Sequence, residues 1–264
     1  MKDHLKPLKV FVVGSKFSNF SILFVLLILD LLLLLDIIGL FSVNMTKINI
    51  FICTADEDVK IADIFRETFS DCYGLKVFLY KHSNVGSQDY YQKIITGLNN
   101  CEIFVPLLSK NLVNSHFSNQ EIGYAVNKKV KQEIIIFPIS LDGQKSFDLI
   151  DHIQPTDCKP KEEYGVLKTA TYFFRLIICH KDFVKFKERA ISGLIYVLNS
   201  CRGWKSISSI VFLLESTVND LNLSRKQIKQ IVSAAKSNAE IKKLDQLYDR
   251  LKQFLNDRYK ISID

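Results

Sequence analysis

The 264-residue chain lacks the loops that most often hold nucleotides. It contains no Gly-x-Gly-x-x-Gly and no Gly-Lys-Ser/Thr, which excludes a Rossmann fingerprint and a P-loop. Metal-ligand spacing is missing as well. The five histidines, His4, His82, His116, His152 and His180, are scattered, and none pairs with a cysteine or acidic residue at ligand spacing, so no metal is expected. The six cysteines include no Cys-x-x-Cys. Cys53, Cys72, Cys101 and Cys179 lie in apolar runs, where a thiol behaves as a small buried hydrophobe, and a reducing compartment is implied. A basic stretch interleaved with aromatics is also absent. Residues 202–264 hold 12 Lys and Arg against 7 Asp and Glu and so carry most of the net charge of +7. These bases are dispersed among acids, which reads as a solvated helical face and argues against a nucleic-acid partner.

What the chain does contain is strands alternating with helices. Residues 47–53 form an apolar run, followed by a helical pattern over 58–72 with Ile61, Ile64, Phe65, Thr68 and Phe69 on one face. Residues 75–79 make the next strand and 101–108 the third. Between these two lie a polar loop, residues 81–87, and a short helix carrying Tyr91, Ile94, Ile95 and Leu98. Residues 133–139 supply a fourth strand. Near-continuous apolar strands at this spacing predict a parallel sheet covered on both faces, an α/β class.

The third strand leads into Ser115-His116-Phe117-Ser118-Asn119-Gln120-Glu121-Ile122. In open α/β sheets the carboxyl ends of strands and the first turns of the following helices converge on the ligand crevice, which makes Glu121 a candidate catalytic carboxylate. The same residues also fit a capping box, with Ser118 as cap and Glu121 reaching back. Local sequence leaves both readings open.

These pieces together resemble the Toll/interleukin receptor (TIR) domain in its bacterial form. The resemblance rests on Ile50-Phe51-Ile52-Cys53-Thr54 with Asp58, on Val77-Phe78-Leu79 before the loop ending in Gly86, and on Ile103-Phe104-Val105-Pro106-Leu107-Leu108-Ser109. It continues through Ser115-x-Phe117-Ser118-x-x-Glu121-Ile122-x-x-Ala125 and Ile135-Ile136-Phe137-Pro138-Ile139. It implies a flavodoxin-like parallel sheet and one of two activities: cleavage of the nicotinamide–ribose bond of NAD, or assembly without catalysis. In the enzymes the key residue is a Glu four positions beyond an aromatic, and Glu121 and Phe117 hold those places. The usual Trp-Cys pair is Phe117-Ser118 here, which keeps a π-face for stacking and loses an N–H donor. By the resemblance, Cys53, Thr54, Ser115, Phe117 and Ser118 shape the substrate pocket. The loop bearing Lys81, His82 and Gly86 gates it, with Gly86 permitting the turn.

Breaking an N-glycosidic bond builds positive charge on the ribose, and a fixed carboxylate stabilises that oxocarbenium-like state. Nicotinamide departs from a cationic nitrogen, so no general acid is required and one Glu suffices. The expectation is therefore an NAD-cleaving effector in defence or virulence, of the glycohydrolase or ADP-ribosyl cyclase type. NAD is its substrate, no cofactor is needed, and self-association completes the site. The competing reading is a non-enzymatic TIR scaffold. A nucleoside-processing enzyme would want further polar catalytic groups that the chain does not show.

The surplus length lies at both ends. The expected divisions are an apolar segment at 1–44, a TIR domain at 45–203 and a helical appendage at 204–264, separable because the αβ alternation is complete before Ser200. Residues 20–43, opening with Phe20 and closing with Val43, hold nineteen apolar side chains at roughly −0.3 to −0.6 kcal/mol each against Asp30 and Asp36 at about +2.5 to +3.5, so membrane insertion is allowed. Lys2, Lys6, Lys9 and Lys16 precede the segment and only Lys47 follows closely, an asymmetry that would export the domain away from cytosolic NAD. Met45-Thr46-Lys47 stands where a native start would. Residues 1–44 are thus expected to be either an upstream extension of the reading frame or a membrane anchor, and the domain itself cytoplasmic.

Overall fold

In the computed structural model, residues 47–80, 88–201, 203–217 and 221–262 are described, with residues 88–90 described by their backbone alone. Six strands, β1 (Asn49–Cys53), β2 (Lys76–Leu79), β3 (Ile103–Leu108), β4 (Ile135–Ile136), β5 (Ile139–Ser140) and β6 (Thr156–Asp157), form one sheet in the order β2-β1-β3-β5-β6, with β4 also on β3. Every pairing is parallel. The pleat sends alternate side chains to opposite faces. Ile50, Ile52, Ile103, Val105 and Leu107 enter one core, and Phe51, Cys53, Phe104 and Leu108 enter the other. Both faces are dry, so the strands read as unbroken apolar runs.

The fourth strand expected at 133–139 is broken in two. The register that pairs Ile103 with Ile135 and Leu107 with Ile139 sets Pro106 opposite Pro138. Neither residue has an N–H to give the ladder, so pairing lapses there and resumes at Leu107. The Pro138 carbonyl instead accepts from Thr156 N–H at 3.0 Å, which seats β6.

Ten α-helices occur among the described residues: α1 (Val59–Glu67), α2 (Gln88–Asn100), α3 (Lys110–Asn114), α4 (His116–Val130), α5 (Gly165–Cys179), α6 (Lys187–Ser200), α7 (Trp204–Ser216), α8 (Arg225–Ser237), α9 (Ala239–Lys242) and α10 (Asp245–Tyr259). They divide by face. α2, α3 and α4 cover the Phe51 side, while α1 and α5 to α10 contribute to the core on the Ile50 side. On the Phe51 side the rings of Phe78, Phe51 and Phe104 stack across three neighbouring strands, at centroid separations of 5.1 and 5.6 Å. A Cβ on Gly97 of α2 would stand 2.8 Å from the Phe78 ring, so the helix lies flat on this row because that residue has no side chain.

On the other side α1 runs into a π-helical turn at Thr68–Cys72, and the chain then reverses through Gly74 at φ +66°. A Cβ at Gly74 would lie 2.7 Å from the Gly193 carbonyl of α6, so backbone meets backbone at that crossing. The C-terminal helices extend this packing without interruption. Asn238, the N-cap of α9, donates to the carbonyls of Leu198 (2.8 Å) and Cys201 (3.1 Å) at the end of α6. Gln227 of α8 donates to Glu188 of α6 at 3.0 Å. Cys72 donates to Ser206 of α7 at 3.9 Å, and Ile207, Ile210, Val211 and Leu214 of α7 share the core of Phe69, Tyr73 and Phe173.

Residues 45–264 form a single compact unit. Among the described residues no helix is long and apolar enough to cross a membrane, and residues 20–43 lie outside them.

A chain ending at residue 203 would uncover the apolar surface now closed by α7 and α8, at roughly 25 cal/mol per Å². Thermal unfolding followed by circular dichroism is expected to lose its cooperative transition in that truncated protein. Retention of a full-length melting curve would mark the appendage as an independent layer.

Candidate active site

The helix that carries Glu121 starts three residues earlier than a Ser118 cap would require. Ser115 ends α3 in an extended conformation, and its Oγ accepts from Ser118 N–H at 3.3 Å, so Ser115 is the N-cap of α4. The Ser118–Glu121 capping box considered from the sequence is therefore not formed. Counted from His116, Glu121 falls in the second turn, where no N–H is orphaned, on the same side as Phe117 and Tyr124.

Ser118 is instead fully buried. Its hydroxyl donates to the Thr54 carbonyl at 3.3 Å and sits 2.9 Å from Ser115 Oγ. The Cys53 thiol donates to the Ser118 carbonyl at 3.7 Å. These contacts fasten the first turn of α4 to the end of β1. Further along, Lys128 donates to the last carbonyls of α2, Leu98 at 3.1 Å and Asn99 at 2.7 Å, a cation at a helix C-terminus. The Tyr124 hydroxyl donates to the Asn99 side chain. α4 is thus clamped to β1 at one end and to α2 at the other, and Glu121 lies between the clamps.

Glu121 is 6% exposed. It lines a cavity of about 80 Å³ with Tyr91, Ile94, Ile95, Leu98, Phe117, Gln120 and Tyr124, and among these residues no cation faces it. Burial pushes its carboxyl up to about 8, and a hydrogen bond with Cys53 partly offsets this. Burial first, and then the neighbouring Glu121, push the Cys53 thiol well above its ordinary range. At neutral pH the pair is therefore largely uncharged in this conformation.

Phe117 is also part of the wall of a second, polar pocket of about 380 Å³, lined by Asp56, Glu57, Asn111, Asn114 and Ser115. Beside it Asp58 accepts from Ser109 Oγ at 2.5 Å and from Asn111 Nδ2 at 3.2 Å, tying the loop after β1 to the start of α3.

Of the residues expected from sequence, Glu121, Phe117 and Ser115 line these cavities. Cys53, Thr54 and Ser118 form the packed junction of β1 and α4, and neither lining includes them. Lys81, His82 and Gly86 lie outside the described residues. Sequence reasoning did not select Tyr124, Asn111, Asn114, Asp56 or Glu57. The position of Asn111 and Asn114 just beyond β3, at the carboxyl edge of a parallel sheet, was the available signal. Among the described residues no group of three or more His, Cys, Asp and Glu is placed to hold a metal.

A parallel sheet covered by helices on both faces makes this an α/β fold. A family model described as the TIR domain matches residues 50–168, and this part of the chain is a TIR domain. Among solved structures, the TIR domain of the Toll-related receptor TRR-2 from Hydra magnipapillata is similar, at 15% identity over 42% of this chain and 84% of that one, with a TM-score of 0.32. No curated protein matches the chain.

A carboxyl raised from about 4.5 in the unfolded chain to about 8 in the fold opposes folding. The penalty is absent below pH 4.5, grows as pH rises, and levels off above 8 at several kcal/mol, since each tenfold change in proton affinity is worth ~1.4 kcal/mol. Glu121→Gln keeps the shape and removes the ionisation. It is expected to raise the melting temperature by several degrees at pH 8 and by almost nothing at pH 4. Equal melting temperatures at both pH values would show that Glu121 is solvated in solution.

Proposed function

We propose that this TIR domain cleaves the nicotinamide–ribose bond of NAD, with Glu121 as the catalytic carboxylate. The observation that supports the reading is that Glu121 has no structural task. It caps no helix, no cation lines its cavity, and its burial destabilises the fold, the pattern expected where a group is held for chemistry. In the reaction the glycosidic electron pair leaves with nicotinamide, quenching the ring's positive charge. Glu121 faces the resulting cationic ribose, and water adds to the anomeric carbon and releases a proton. Phe117 supplies a π-face between the carboxyl and the polar pocket, where Asn111, Asn114 and Asp56 offer partners for hydroxyl or carboxamide groups.

The cavity around Glu121 is smaller than the ~300–1,000 Å³ of typical ligand sites. The reading therefore requires that self-association, or movement of Phe117, which lines both, join it to the polar pocket. That closed state is also the observation that favours the second reading, a TIR module that acts by assembly alone.

Nicotinamide release from NAD by the full chain decides between them. The acid limb of kcat/KM is expected near pH 8, with the rate at pH 7 roughly tenfold below the plateau, because the carboxylate is the active form. Glu121→Gln should lower the rate by roughly 10² or more while the protein stays folded. A wild-type protein that releases no nicotinamide at any concentration assigns the domain to assembly.

A further inference from the structure

The polar pocket beside Phe117 is lined by hydrogen-bond acceptors. Its volume of about 380 Å³ falls within the ~300–1,000 Å³ of ordinary ligand sites. Asp56 and Glu57, in the turn after β1, contribute carboxylates, and no Lys, Arg or His lines it. The orientation of the two asparagines is fixed by partners that can only accept. Asn111 Nδ2 donates to the two Asp58 carboxylate oxygens at 3.2 and 3.4 Å, and Asn114 Nδ2 donates to the Lys110 carbonyl at 2.9 Å. Both amide nitrogens are thus turned onto the protein, which leaves Oδ1 of each to serve the pocket. Such a lining takes hydrogen-bond donors and positive charge, and it repels phosphate or carboxylate. Phe117 is a wall of both this pocket and the cavity of Glu121. Four residues of α4 separate the two side chains, about 6 Å of helix, room for one flat ring between a sugar at Glu121 and a polar group in the pocket.

We propose that this pocket determines specificity by selecting a carboxamide over the corresponding carboxylate. The pyridine ring lies on Phe117, its carboxamide –NH₂ donates to the Asn111 and Asn114 oxygens, and Asp56 and Glu57 repel an acid at the same position. This deepens the proposed function and rests on it, naming the part of NAD that the pocket reads. The two carboxylates also attract the ring while it is cationic, an attraction present before the glycosidic bond breaks and lost once nicotinamide is neutral. Removing it therefore weakens the ground state more than the transition state and raises KM more than it lowers kcat.

The experiment follows the side-chain amide signals of Asn111 and Asn114 by nitrogen-15 NMR while the full chain is titrated with nicotinamide or with nicotinate. Nicotinamide is expected to shift both signals saturably, and nicotinate at the same concentrations to leave them in place. Asp56→Asn combined with Glu57→Gln keeps the shape of the pocket and removes its charge, so the preference should narrow severalfold while the fold, followed by circular dichroism, is retained. Equal shifts by both compounds, no saturable shift by nicotinamide, or a preference unchanged in the neutral variant each overturn the proposal. Kinetics separate it from the reading on which it rests. The wild type should cleave NAD with a kcat/KM at least tenfold above that for nicotinic acid adenine dinucleotide, and the neutral variant should lose most of that ratio, chiefly through KM. Amide-selective binding by a protein that cleaves neither dinucleotide would keep the pocket's selectivity and discard the catalytic reading, whereas equal cleavage of both would do the reverse.

Discussion

Burial of the sheet on both faces is the constraint from which the rest of this structure follows. A parallel sheet has no wet side, so β1 and β3 must be apolar throughout, and polar side chains are displaced to the ends of the strands. At the carboxyl ends, Thr54, Asp58, Ser109, Ser115 and Ser118 collect within a few residues of one another and bond among themselves. The candidate site is built on that polar seam, and Glu121 is the member of the region left outside the hydrogen-bonded network of hydroxyls.

Isolation of that kind has a definite energetic meaning. Buried carboxyls normally persist by pairing with a cation or by accepting several N–H groups. Glu121 has a thiol, three aromatic side chains and aliphatic side chains around it. The fold tolerates it by keeping it protonated, so ionising it and opening the cavity become linked events. Whatever brings water or a cationic group to this carboxyl also favours its ionised form, because both act against the same desolvation.

Much of the fold could be read in the sequence because its strands are long and apolar. Residues 47–53, 75–79 and 101–108 contain the observed β1, β2 and β3, and the helix bearing Glu121 follows β3 after the short α3. What escaped depends on partners distant in the chain. Pro138 divides the fourth strand only because it meets Pro106, and β6 is a two-residue strand held by a carbonyl that this break releases. The start of α4 was misplaced because two serines three residues apart can each cap a helix. The short helix α3 decides the matter by ending at Asn114 and leaving Ser115 extended. Nothing local marks that turn. Glu121 could be named from the crevice rule, whereas its neighbours Tyr91 and Tyr124 come from two helices whose alignment is fixed by Lys128 and Asn99.

The unequal coverage of the two faces determines how the appendage could ever communicate with the carboxyl. All the helices beyond residue 203 lie on the Ile50 side, and Glu121 sits on the Phe51 side. The appendage is thus a foundation, not a lid. A signal arriving at α7 or α8 must cross the thickness of a single strand, where consecutive residues of β1 point to opposite rooms and share one rigid backbone. Such a wall passes on changes of tilt and spacing and conceals changes of chemistry. Surface charge on the C-terminal helices can therefore vary freely without the pocket sensing it, while a shift of β1 by a fraction of an ångström would be felt on both sides at once.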